Sequence, residues 1–134
     1  MTVHATVSSK ETTLFDKDGD PVAYIVDDSD MTIYMWDGTP VAYLATGRIG
    51  SAFNIYGFNG KHLGWFEDGI VRDSQGYAVG FVKGATNVYT KFEPIKSIKK
   101  IKPLKSIKQI PPIKPINRSQ FSNTGLSLFL RGGI

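Results

Sequence analysis

Residue types that commonly carry out chemistry are scarce in this chain of 134 residues. There is no cysteine, which excludes thiolate zinc sites, structural disulfides and a cysteine nucleophile. The two histidines, His4 and His62, are too few for a histidine-rich metal site, and no nucleophile–base–orienter set stands in a recognisable context. We therefore predict that the protein is not an enzyme and that it holds no catalytic residues, metal or cofactor.

One acidic cluster has the spacing of the first part of a calcium loop. Asp16, Asp18 and Asp20 alternate around Gly19, but no glutamate follows before Glu67 to supply the late bidentate ligand of such a loop. An Asp-Gly pair is also a strong signal for a hairpin turn. We therefore interpret the cluster as a turn.

Lysine is concentrated in the last third of the chain, where a row of ammonium groups could neutralise phosphates. The candidate contacts to a nucleic acid or an anionic surface are Lys96, Lys99, Lys102, Lys105 and Lys108. The alternative is an exposed lysine face that keeps the segment soluble. Binding of single strands would also require aromatic side chains for stacking, and only Phe92 and Phe121 flank the row.

Charge divides the chain into an acidic and a basic part. Residues 1–90 hold six Lys and Arg against eleven Asp and Glu, whereas residues 91–134 hold ten against one. The net charges of −5 and +9 account for the overall +4. The two parts are expected to attract each other, within one chain or between chains.

A short motif occurs four times in the acidic part. It consists of glycine, two variable residues, Val or Leu, Ala or Gly, an aromatic residue and an apolar residue. The four copies begin at Gly19, Gly38, Gly60 and Gly76. Each glycine follows Asp, Asn or Gln and is preceded by residues with strand character, so we predict four β-hairpins. Asp-Gly and Asn-Gly pairs favour type I′ turns, in which both central residues have positive φ.

Small and aromatic residues occupy fixed positions in the motif. Because neighbouring residues of a strand face opposite ways, the small residues share one face and the aromatic residues share the other. The small set (23, 42, 64 and 80) is expected at a crowded axis. The aromatic set is Tyr24, Tyr43, Trp65 and Phe81. We expect these rings to pack outward between neighbouring hairpins; the alternative is a row of carbohydrate-binding platforms.

Residues 13–85 resemble the four-fold β-flower family of small, mostly bacterial proteins. The resemblance lies in Asp-Gly-x-Pro-Val-Ala-Tyr at 18–24 and 37–43, and in His-Leu-Gly-Trp-Phe at 62–66 followed by Asp68-Gly69. The fourth copy departs from the pattern, because Gln75 stands where Asp or Asn is expected. The resemblance implies four hairpins around a pseudo-four-fold axis. It implies no biochemical activity and no catalytic residues.

The basic part has a strict period of three. An aliphatic residue stands at every third position: Ile95, Ile98, Ile101, Leu104, Ile107, Ile110, Ile113 and Ile116. An α-helix would spread these side chains around its circumference, and a strand would alternate them between faces. Polyproline II has three residues per turn and places all eight on one edge. The sequence therefore predicts an amphipathic polyproline II arm, which we define as residues 91–117.

The aliphatic edge of the arm is expected to dock on β surface, in the same chain or in a neighbouring subunit. Burial of eight aliphatic side chains contributes roughly 12–24 kcal/mol, which offsets much of the entropy lost on ordering. The alternative is a disordered linker with a repetitive sequence. A homo-oligomer formed through the arm is one expected partner arrangement.

The predicted fold class is all-β, with four pseudo-symmetric hairpin repeats in residues 1–90, the arm, and a tail at 118–134. In the tail, residues 126–130 alternate imperfectly and predict a closing strand. The predicted function is a non-catalytic structural or binding module. We expect no transmembrane segment and, since no signal peptide or cysteine is evident, a cytoplasmic location.

Overall fold

The structure is a computed structural model that describes residues 10–47 and 52–134. His4 and the N-terminal stretch considered as a signal lie outside the described residues. Within the described ranges, no helix is both long enough and apolar enough to cross a membrane.

Eight antiparallel strands form a closed barrel, which confirms the all-β prediction. The strands are β1 (Glu11–Phe15), β2 (Pro21–Val26), β3 (Thr32–Met35), β4 (Pro40–Thr46), β5 (Phe53–Gly57), β6 (His62–Glu67), β7 (Ile70–Arg72) and β8 (Ala78–Phe81). Each strand pairs with the next along the chain, and Phe15 opposite Phe81 joins β1 to β8. The predicted turns connect β1 to β2, β3 to β4, β5 to β6 and β7 to β8.

The four hairpin turns contain the glycines of the motif, but the predicted type I′ geometry is wrong. The Gly19 N–H donates to the Asp16 carbonyl at 2.9 Å, which closes a turn of type I. Gly19, Gly38, Gly60 and Gly76 have φ between 81° and 91°, whereas the residue before each has no positive φ. The Asp16 carboxylate accepts the N–H groups of Asp18 and Asp20, and this bonding stabilises a type I turn followed by a left-handed glycine.

The barrel interior is narrow where the small residues of the motif lie. Ala23 and Ala42 are fully buried in the main apolar cluster. A Cβ at Gly80 would meet the side chain of Leu126, and one at Gly64 would meet the Arg72 carbonyl and the Phe129 ring. The small residues thus leave room for the strands and for a segment from the tail.

The tail forms a short helix, α1 (Leu126–Arg131), so the predicted closing strand is wrong. Leu126 and Leu130 are fully buried among the barrel side chains, whereas Leu128 is 70% exposed. Residues four apart share one side of a helix, while residues two apart do not. The imperfect alternation of residues 126–130 therefore reflects a helix with one apolar face. That face, formed by Leu126 and Leu130, lies over the barrel interior.

Between β8 and Phe121 the chain forms neither helix nor strand. Residues 89–118 pass the four hairpin turns in the order of the sequence, with backbone contacts at each turn. The arm therefore lies on the barrel of its own chain.

Candidate interaction surface

The arm and the residues that flank it contact the barrel with a repeat of nine residues. The backbone N–H groups of Lys91, Lys100, Gln109 and Arg118 donate to the carbonyls of Gly19, Gly38, Gly60 and Gly76, at 2.9, 2.9, 2.9 and 3.1 Å. Two further N–H groups, of Ser97 and Ser106, donate to the carbonyls of Trp36 and Phe58. Three triplets of the arm thus span the distance between one hairpin turn and the next.

Each turn glycine is required by the arm as well as by the turn. The carbonyl oxygens of Tyr89, Ile98, Ile107 and Ile116 occupy the space that a Cβ would need at the four glycines. Any side chain at these glycines would collide with backbone atoms of residues 89–116. The glycines therefore allow both the positive φ and the close approach of a second backbone.

The lysines of the arm face the barrel and pair with its carboxylates. Glu11 accepts Lys96 at 3.1 Å and Lys99 at 2.6 Å. Asp30 accepts Lys102 at 3.0 Å and Lys105 at 2.7 Å. Further along the arm, Lys114 pairs with Glu67 at 3.1 Å. The expected attraction between the acidic and the basic part is confirmed within one chain.

The same lysines lie over the tyrosines on the outside of the barrel. The Lys96 ammonium group is 4.9 Å from the ring centre of Tyr24, and that of Lys105 is 4.2 Å from the ring centre of Tyr43. Lys108 lies 5.6 Å from the ring of Tyr56. Each aliphatic lysine stem therefore crosses apolar surface before its charge meets a ring face or a carboxylate.

The aromatic residues beneath the arm pack between neighbouring hairpins. Tyr24 of β2 stacks on Tyr34 of β3 at 5.6 Å, and Tyr43 of β4 stacks on Tyr56 of β5 at 6.1 Å. Burial raises the pKa of Tyr24 and of Tyr43. The rings that could have formed carbohydrate-binding platforms are all less than 5% exposed: Tyr24, Tyr43, Trp65 and Phe81. None of these four rings is open to a carbohydrate.

The lysines that cover the carboxylates of the barrel lower the pKa of these carboxylates. Hydrogen bonds from Lys105 and Lys102 lower the pKa of Asp30 below its usual value. Burial alone would raise the pKa of Glu11, but Lys99 and Lys96 lower it overall. Hydrogen bonds from Asn117 and Lys114 lower the pKa of Glu67. These groups are therefore ionised under the arm at neutral pH.

The aliphatic residues point away from the barrel, so the prediction that they dock on their own chain is wrong. Ile95, Ile98, Ile101, Leu104, Ile107, Ile110, Ile113 and Ile116 are between 81% and 98% exposed. The reason is the chemistry of the covered surface, which offers carboxylates, tyrosine faces and turn carbonyls. Lysine stems and backbone N–H groups satisfy these groups, whereas an isoleucine would leave the carboxylates without counterions.

Two aromatic residues extend this exposed row and were missed in the sequence. Tyr89 and Phe92 continue the period of three towards the N-terminus and are 83% and 86% exposed. We call the row of these two rings and the eight aliphatic residues the ridge. The nine-residue repeat was also readable, because Pro94, Pro103 and Pro112 are nine residues apart.

The remaining candidate groups bond to other groups of the chain itself. Asp16, Asp18 and Asp20 place carboxylate oxygens near one another, but the Asp16 carboxylate bonds the turn and Asp20 pairs with Lys91 at 3.0 Å. His62 is buried, its Nε2 lies 2.9 Å from Asn54 Oδ1, and burial lowers its pKa. His62 is therefore uncharged at neutral pH.

Comparison with known proteins identifies a family. A family model described as "4-fold beta flower protein" matches residues 12–130, which covers the barrel, the arm and almost all of α1. No curated protein and no solved structure matches the chain.

Proposed function

This chain belongs to the 4-fold beta flower family, and we propose that it is a non-catalytic binding module that acts through the ridge. In this proposal the barrel is a scaffold that holds the arm by its lysine side. The opposite side of the arm is then presented to an apolar surface of another protein.

The exposure of the ridge is the observation that carries the proposal. Its ten large side chains are between 81% and 98% exposed in one continuous segment. Among the described residues, only Leu128 and Ile134 are other large apolar side chains with comparable exposure. Soluble monomers rarely expose contiguous apolar surface of this extent, and such a patch usually marks a site of interaction.

We further propose that the arm is a polyproline II segment and that the barrel has pseudo-four-fold symmetry. The period of three and the shared orientation of the ridge support the first point. The equivalent contacts at Gly19, Gly38, Gly60 and Gly76 support the second. Because polyproline II has three residues per turn, residues nine positions apart lie on the same edge of the segment. The same edge therefore contacts every hairpin turn.

Binding of a polyanion by the lysine edge has less support. Of the five candidates, Lys96, Lys99, Lys102 and Lys105 pair with carboxylates of the barrel, and Lys108 lies over Tyr56. A phosphate would have to displace these partners. The alternative therefore requires that the lysines give up their contacts with the barrel.

The experiment compares the fluorescence of bis-ANS, a dye that reports open apolar surface, with the folded chain and two variants, all in solutions dilute enough to keep each protein monomeric. The ridge variant is Ile101→Ser/Leu104→Ser/Ile107→Ser. The control variant, Leu128→Ser/Ile134→Ser, removes exposed apolar side chains outside the ridge. We expect the dye signal to fall clearly in the ridge variant and to persist in the control. Equal signals from all three proteins would contradict the proposal.

A further inference from the structure

We infer that the partner of the ridge is a second copy of this chain, whose own ridge packs against it. This inference rests on the proposed function and names the partner of the same surface. The spacing of the side chains, the area they offer and the charge beside them support a second copy as the partner.

The spacing of the ridge makes it complementary to itself. At about 3.1 Å per residue, side chains three positions apart are separated by about 9.3 Å along the arm. A side chain inserted between two neighbours and touching both at about 4 Å needs a gap of about 8 Å. One aliphatic side chain of a second ridge therefore fits between Ile101 and Leu104, and the same holds along the row.

The area of the ridge is sufficient for a stable contact between two copies. A fully buried aliphatic side chain removes roughly 60–120 Å² of apolar surface from water. The eight aliphatic residues of the ridge offer roughly 480–960 Å² per copy, to which the two rings add, and a standard protein interface buries about 800 Å² per partner. A contact between two copies reaches this area only if it buries most of the ridge, so we infer that the two ridges meet along their length and not at one point.

The charge distribution allows two ridges to approach each other. Lys96, Lys99, Lys102, Lys105 and Lys114 are paired with carboxylates of their own barrel. Their ammonium groups are directed away from the ridge, so two copies meet without strong repulsion between arms. The same orientation disfavours an anionic membrane, which attracts apolar segments through lysines that are free to reach its head groups.

The test measures the mass of the full chain in solution by sedimentation over a wide range of concentration. We expect the mass of the unaltered chain and of Leu128→Ser/Ile134→Ser to rise to at least that of a dimer. We expect Ile101→Ser/Leu104→Ser/Ile107→Ser to associate clearly more weakly, so that its mass rises only at higher concentration. Because the replaced side chains contact solvent, circular dichroism should show that this variant is folded.

A second measurement locates the contact and does not depend on the triple variant. The chain has no cysteine, so single-cysteine variants along the ridge, at Ile95, Leu104 and Ile113, can be mixed pairwise and oxidised mildly. Disulfide-linked dimers should form from at least one pair of ridge positions. They should not form from Ser106→Cys, which lies on another edge of the arm and contacts Phe58.

The outcomes separate this inference from the proposed function. A chain that remains monomeric at every concentration, or a ridge variant that associates as strongly as the unaltered chain, would overturn the inference. The dye experiment then decides the proposed function independently. If the ridge still accounts for the dye signal, the binding surface remains and its partner is a different protein; if it does not, both proposals fail.

Discussion

The carbonyl oxygen of Ile98 occupies the space that a Cβ on Gly38 would need, so the arm can pass this close to the hairpin turn only because residue 38 is a glycine. The same relationship joins Gly60 to Ile107. The turn and the arm therefore constrain the same residue for two separate reasons, positive φ and close approach.

Replacement of Gly38 should reveal both constraints. Gly38→Ala should lower the free energy of unfolding by more than the 1–2 kcal/mol or so that a left-handed alanine costs, because the Ile98 carbonyl must also move. Gly84→Ala is the matched control, since Gly84 has φ of 90° but no atom near its Cβ position. Urea unfolding measures the loss of stability in the two variants. Equal losses would show that the arm does not restrict the side chain at position 38.

The lysine edge, and not the ridge, should hold the arm on the barrel. Lys105→Ala removes an ion pair with Asp30 and a cation over Tyr43. Together these contacts are worth about 1–1.5 kcal/mol, so cleavage of the arm by proteinase K should accelerate about five- to tenfold. Ile101→Ser, on the opposite side of the arm, should leave the rate nearly unchanged in dilute solution. Faster cleavage of Ile101→Ser than of Lys105→Ala would contradict this arrangement.

The helix at the end of the chain should behave as part of the barrel core. Leu130→Ala should cost about 2–5 kcal/mol, because the side chain is fully buried. Leu128→Ala should cost less than about 0.5 kcal/mol, because that side chain is exposed. In a strand, residues 128 and 130 would share a face and their losses would be similar. Chemical denaturation of the two variants therefore distinguishes the helix from the strand.

The contribution of Asp30 to stability should disappear in acid. Hydrogen bonds from Lys105 and Lys102 lower its pKa in the folded chain below the ordinary 3.8. A lowered folded pKa means that the stabilisation is fully present above the ordinary value and is lost as the pH falls through the lowered one. At pH 7, Asp30→Asn should therefore unfold at a lower temperature than the unaltered chain. A difference in Tm that persists unchanged well below pH 3.8 would contradict the assignment.

Local patterns in the sequence were sufficient to predict much of the fold. The recurrence of glycine, small residue and aromatic residue predicted the hairpins, because strand periodicity and turn chemistry act over a few residues. The predicted type I′ turn was wrong because the Asp16 carboxylate accepts hydrogen bonds from the backbone N–H groups of Asp18 and Asp20. The Asp-Gly pair, on which the prediction was based, does not include Asp16.

The period of three determined that the arm has a lysine edge and an aliphatic edge, but it could not determine which edge faces the barrel. That choice depends on surface assembled from distant strands: Glu11, Asp30 and the tyrosine rings come together only when the barrel closes. Likewise, residues 126–130 became a helix because the barrel interior offers Leu126 and Leu130 one common site. The sequence by itself determined the periodicities and the division of charge. The tertiary structure decided which side of each segment is buried, because burial depends on the surface that the rest of the chain presents.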